Sequence, residues 1–143
     1  MKKMIDLYKT EASNAFNSID SVDIEKFVNL IIDAYKNEKT VFACGNGGNV
    51  ASVQNLVLDL NMHPFVSEDK SKRSGGRNKF KSVSLCDSAA TITGLTNDLG
   101  FENIFVEQLK YQCNPGDILF AMSGSGNSKN IIEALTYAKD HGI

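Results

Sequence analysis

Apolar side chains recur at helical spacing over residues 4–18 (Ile5, Tyr8, Ala12, Phe16) and again over 22–37 (Ile24, Phe27, Ile31, Ala34). This period predicts two amphipathic helices, with Ser21 and Asp23 supplying the capping chemistry between them. The pattern then shortens. "TVFAC" is a β-branched and aromatic run that stops at the glycine turn "GNGGN" and leads into a helical stretch over 48–61, a strand–turn–helix unit. After it comes "MHPFVSEDKSKRSGGRNKF", polar, charged and glycine-containing, which reads as an exposed loop.

The alternation resumes beyond that loop. "KSVSLCD" reads as a second strand, "SAATITGLTND" as a short helix or turn, "FENIFVEQLKYQC" as a helix, "DILFAMS" as a third strand and 127–140 as a last helix, with Gly142 at its left-handed cap. Strands alternating with helices at this spacing imply βαβ crossovers and a parallel sheet covered on both faces, a three-layer α/β/α sandwich. A single domain is expected, with N-terminal helices over 4–37 and an α/β core over 39–143. Three strands make a thin sheet, so C-terminal strands and a helix are expected to be missing from the chain.

Composition narrows the partners. The 143 residues carry a formal charge of −2 with both signs interspersed, which supplies no basic field for a nucleic-acid duplex. Cys44, Cys86 and Cys113 are odd in number and lack CxxC spacing, arguing against a disulfide framework or a zinc knuckle. No apolar window is long enough for a membrane span, so a cytoplasmic protein with no membrane partner is expected.

Chemistry concentrates in two turns that share one plan, "TVFACGNGGNVASVQNLVLDL" and "DILFAMSGSGNSKNIIEALTYA". Each puts small residues at the carboxyl end of a parallel strand, the edge where open α/β sheets bind ligands. In "SGSGNS", Ser123, Ser125 and Ser128 offer hydroxyls, and Gly124 and its neighbours offer unobstructed amides, at the start of a helix. That is a seat for an anion, and the missing GK[ST] favours a phosphate monoester over a nucleoside triphosphate. "GNGGN" lacks the last glycine of GxGxxG, which disfavours a dinucleotide. Asn46, Asn49 and Gln54 offer amides for sugar hydroxyls, while Gly45, Gly47 and Gly48 permit close backbone approach.

Together, "CGNGGN" with its helix, "CDSAATITGLTNDLGFENIFVEQL" and "PGDILFAMSGSGNS" resemble the sugar isomerase (SIS) domain, and within it the phosphoheptose isomerase branch, from about residue 41 to the end. The resemblance implies a five-stranded parallel sheet, a homotetramer and active sites shared between subunits. It also implies aldose–ketose isomerisation of sedoheptulose 7-phosphate to D-glycero-manno-heptose 7-phosphate through an enediol. On the matching motifs, Ser123, Gly124, Ser125 and Ser128 would hold the sugar phosphate. Asn46, Gly47, Gly48 and Asn49, with Asp87 and Asn97, would face the substrate.

The catalytic positions depart from the family. Its glutamate falls at Asp59, which shortens the base by one methylene, roughly 1.5 Å of reach. Its catalytic histidine would lie on a helix beyond Ile143. A second histidine, which binds zinc in some members, falls at Asn55, so no cofactor and no metal site are expected. These departures motivate the alternative, a non-catalytic SIS domain that senses a sugar phosphate or scaffolds a partner protein. His63 and His141 read as surface histidines, Glu102 and Glu107 as surface charges, and Cys44 and Cys86 as packing residues. Lys70, Lys72, Arg73, Arg77, Lys79 and Lys81 read as a solvated basic loop.

Overall fold

A computed structural model describes residues 1–62 and 80–143. Most of the long polar loop, with His63 and all of the basic cluster except Lys81, lies outside the described residues. The chain divides into two compact units, Met1–Asp33 and Ala34–Ile143.

The first unit is helical. Helix α1 spans Lys2–Asn17, and α2 begins at Ser21 and runs to Lys36, so its last residues enter the second unit. The cap of α2 differs from expectation: Asp20, one residue earlier than Ser21, accepts the Val22 amide on its carboxylate (2.8 Å) and the Ile24 amide on its carbonyl. Asp23 lies inside the first turn and pairs with Lys26. No residue of α1 is buried, and its Tyr8 and Phe16 are about three-quarters exposed (73% and 75%).

The second unit is the expected α/β layer structure. Strand β1 spans Thr40–Gly45, α3 Gly48–Met62, β2 Lys81–Ser84, α4 Ala89–Leu99, a 3₁₀ turn Phe101–Asn103, α5 Ile104–Gln112, β3 Ile118–Met122 and α6 Lys129–Asp140. Among the described residues the sheet has the order β2-β1-β3, every pair parallel, with Phe42 opposite Val83 on one side and Leu119 on the other. "SAATITGLTND" is a full helix because Ser88 caps it, its hydroxyl accepting the Thr91 amide at 3.1 Å.

Strand alternation sorts the core onto two faces. Phe42 and Cys44 of β1 pack with Leu85, Phe105, Leu109, Ile131 and Ala134, so α5 and α6 cover one face. Ala43 packs with Val53 and Val57 of α3, against Phe120 and Met122 of β3, on the other. On the α3 side, Ser82 is buried and satisfied by the Val57 carbonyl (3.0 Å) and by Asn61, which bonds its main chain. Among the described residues, no helix is long and apolar enough to cross a membrane.

Candidate active site

The two Gly/Ser turns emerge side by side because β1 and β3 are neighbours and parallel. Gly45 ends β1 fully buried; a Cβ there would stand 3.0 Å from the Asn49 Cβ and 3.2 Å from its carbonyl oxygen, so only glycine lets α3 start this close to the strand. Gly48 opens α3, and Asn46 and Gly47 accept the amides of Asn49 and Val50 on their carbonyls.

The serine loop after β3 is folded by its own polar groups. The Ser123 hydroxyl accepts the Gly126 amide (3.1 Å) and lies 3.3 Å from the Ser128 hydroxyl; the Ser125 hydroxyl accepts the Asn127 amide (3.2 Å). Ser128 is the N-cap of α6 and makes no side-chain cap bond, its carbonyl taking the Ile131 and Ile132 amides. Gly124 and Ser125 are exposed, whereas Ser123 and Ser128 are half-buried.

The turns meet through a pair of side chains. Asn46 Nδ2 donates to Asn130 Oδ1 at 2.8 Å, and Asn130 Nδ2 donates back to Asn46 Oδ1 at 2.9 Å. Over this pair opens a cleft of about 370 Å³ lined by Asn46, Ser128, Lys129, Asn130, Phe101 and Glu102. Asn46 and Phe101 also border a second hollow of about 200 Å³, whose wall includes Gly45, Gly47, Val50 and Cys86. Sequence reasoning passed over Asn130 and Phe101; Glu102, read as a surface charge, is exposed and also borders the cleft. The 3₁₀ turn brings Phe101 and Glu102 against α6, a placement that local pattern does not encode.

The remaining residues stand farther out. Asp87, just beyond β2, is exposed and accepts Gln54 Nε2 at 2.9 Å, which ties that loop to α3. Asn97 is exposed on α4, donates to Asp98 at 2.8 Å and borders neither hollow. Asp59 is half-buried on α3, eleven residues past Gly48 and so about 16 Å along the axis. It lines neither hollow and accepts Asn55 Nδ2 at 3.2 Å. Among the described residues, no three His, Cys, Asp or Glu side chains come together as a metal-binding group.

The cysteines here are poor nucleophiles. Burial, with Cys86 adding to it, pushes the Cys44 thiol up to about 12, and burial also raises Cys86 and Cys113. His141 caps α6, stacks on Tyr137 and lies exposed.

The chain is similar to known proteins over most of its length. The SIS domain profile matches residues 8–143. A phosphoheptose isomerase from Campylobacter concisus is 30% identical over all of this chain and 70% of its own length. One from Geotalea daltonii is 37% identical over 85% of this chain and 59% of its own. The solved phosphoheptose isomerase of Neisseria gonorrhoeae superposes on 99% of this chain and 70% of that one, with a TM-score of 0.79 and 25% identity. That of Francisella tularensis, at 24% identity, gives a TM-score of 0.82 over the same shares and shares the fold.

Proposed function

Because this chain belongs to the SIS domain family and, within it, to the phosphoheptose isomerases, we propose that it isomerises sedoheptulose 7-phosphate to D-glycero-manno-heptose 7-phosphate. The observation that carries this reading is the cleft itself: Ser128 and the first turn of α6 on one side, Asn46 on the other. The free amides at a helix start and the hydroxyls of Ser123, Ser125 and Ser128 suit a phosphate, and the amides of Asn46 and Asn49 suit sugar hydroxyls. Asp87 and Asn97 would extend that set.

The reaction moves one proton between carbons and one between oxygens. A base takes a proton from C1 of the ketose as the C1–C2 double bond of the enediol forms. Return of that proton to C2, with O2 gaining and O1 losing a proton, gives the aldose. Asp59 is the proposed carbon base, and a second acid/base group serves the oxygens.

Asp59 lies about 16 Å down α3 from the turn that holds Asn46. A second copy of the chain is therefore proposed to bring its Asp59 to this cleft, in a homotetramer with shared sites. The reaction is read as needing no zinc at Asn55. That amide spends an N–H on Asp59 Oδ2, and a neutral amide does not replace an imidazole ligand. A cytoplasmic location accords with a phosphorylated metabolite as substrate.

The same Asn55–Asp59 contact favours the second reading, a site that binds sugar phosphate without turning it over. Incubating the protein with sedoheptulose 7-phosphate separates the two. Aldose formation that falls at least a hundredfold in Asp59→Asn supports the isomerase. A ligand-induced rise in melting temperature, about 2.7 kcal/mol of stabilisation at a hundred times Kd, that is lost in Ser125→Ala and accompanied by no turnover supports the binding module. Neither response sinks both.

A further inference from the structure

Asn46 and Phe101 line both hollows, and Asn46 is the polar one of the two, yet its side-chain amide is not held by its own turn. It is held by Asn130, which lies 84 residues away in sequence and is 1% exposed. We propose that Asn130 is a positioning residue of the site: its buried amide clamps Asn46 and fixes the spacing between the sugar-binding turn and the phosphate seat. The inference rests on the sugar-phosphate reading above and adds a residue to it.

The chemistry of the pair is reciprocal. Each amide spends one N–H and one carbonyl lone pair on the other, at 2.8 and 2.9 Å. A primary amide has a second N–H and a second lone pair, so Asn46 keeps one donor and one acceptor for a ligand while its rotamer is locked. The two orientations are also coupled, since reversing the Asn46 amide would set oxygen against oxygen unless Asn130 reversed as well. The first turn of α6 therefore both ends the phosphate loop and holds the Asn46 side chain in place.

The test is affinity for two ligands. Asn130→Ser removes both bonds to Asn46 and adds no charge beside the phosphate seat. Its expected effect is a Kd for sedoheptulose 7-phosphate raised about tenfold, the loss of one good hydrogen bond, with the Kd for inorganic phosphate changed by less than about twofold. In an Asn46→Ala background, the same substitution should add nothing to the loss in sugar-phosphate affinity, because Asn130 acts through Asn46. If Asn130→Ser does not fold, Asn130→Leu keeps the volume, removes the pair without a charge and is read by the same cycle.

Equal weakening of both ligands, an unchanged sugar-phosphate Kd, or an additive effect in the Asn46→Ala background overturns the inference and leaves the functional reading standing. Failure of the parent protein to bind sedoheptulose 7-phosphate overturns that reading, and this inference with it.

Discussion

Asp117 shows how much one side chain can organise without touching the site. It is buried just before β3, where one carboxylate oxygen accepts the Thr40 amide and the other the Asn114 amide, both at 2.8 Å. The first bond anchors the start of β1, and the second closes the turn that feeds β3. Asp117→Asn keeps the shape but offers an acceptor at one end only, leaving an NH₂ facing an amide N–H. The expected cost is about 1–3 kcal/mol in urea unfolding, the range for a buried donor left unpaired. An unchanged midpoint would show that the two strand entries do not depend on it. Legibility at this scale divides along the same line. Ser123, Ser125, Ser128 and Asn46 were readable because small polar residues after an apolar run announce a ligand turn locally. Asn130 and Phe101 were not, because their place in the cleft comes from packing between elements far apart in sequence.

Helix ends repeat the lesson for whole elements. Helix α6 closes with Gly142 at φ +71 and the Ile143 amide returning to the Ala138 carbonyl (2.9 Å). Helix α2 closes in the same geometry, the Lys39 amide returning to Ala34 (2.8 Å), but the left-handed residue is Glu38 at φ +56. A side chain at that φ is strained, and the Glu38 carbonyl's bond from Lys81 Nζ uses main chain that glycine would keep. Glu38→Gly is therefore expected to stabilise the protein by about 0.5–1 kcal/mol, seen as a melting temperature raised by a few degrees. A fall would mean that the Glu38 side chain matters more than its backbone. The sequence pattern located the Gly142 end because glycine marks it, and missed the geometry at Glu38 because nothing in the residue type does. The α2 start slipped by one residue for a related reason: Asp20, Ser21 and Asp23 are all capable caps, and only the chain path selects Asp20.

At the scale of the molecule, the layers and the parallel pairing followed from alternation, whereas the strand order did not, and the proposed assembly turns on what the folded chain leaves exposed. Met4, Leu7, Tyr8 and Phe16 of α1 and Val22, Ile24, Val28 and Leu30 of α2 are all exposed, more apolar surface than scattered surface residues account for. Asp59, meanwhile, sits a helix length from the turn it is proposed to serve. The sites shared between copies that are proposed above are read directly by a complementation experiment. Asp59→Asn and Ser125→Ala, each inactive alone, should regain activity when co-expressed, because a phosphate seat from one copy can then meet an intact carboxylate from the other. For a site with one such contribution from each of two copies, random assembly restores about a quarter of the parental activity. Sites completed within a single copy would restore none. If the proposed tetramer packs through these helices, substituting Tyr8→Glu together with Phe16→Glu should lower the sedimenting mass below that of the parent protein. It should abolish the complementation in parallel, since an isolated copy would keep the phosphate seat and lose the carboxylate it borrows.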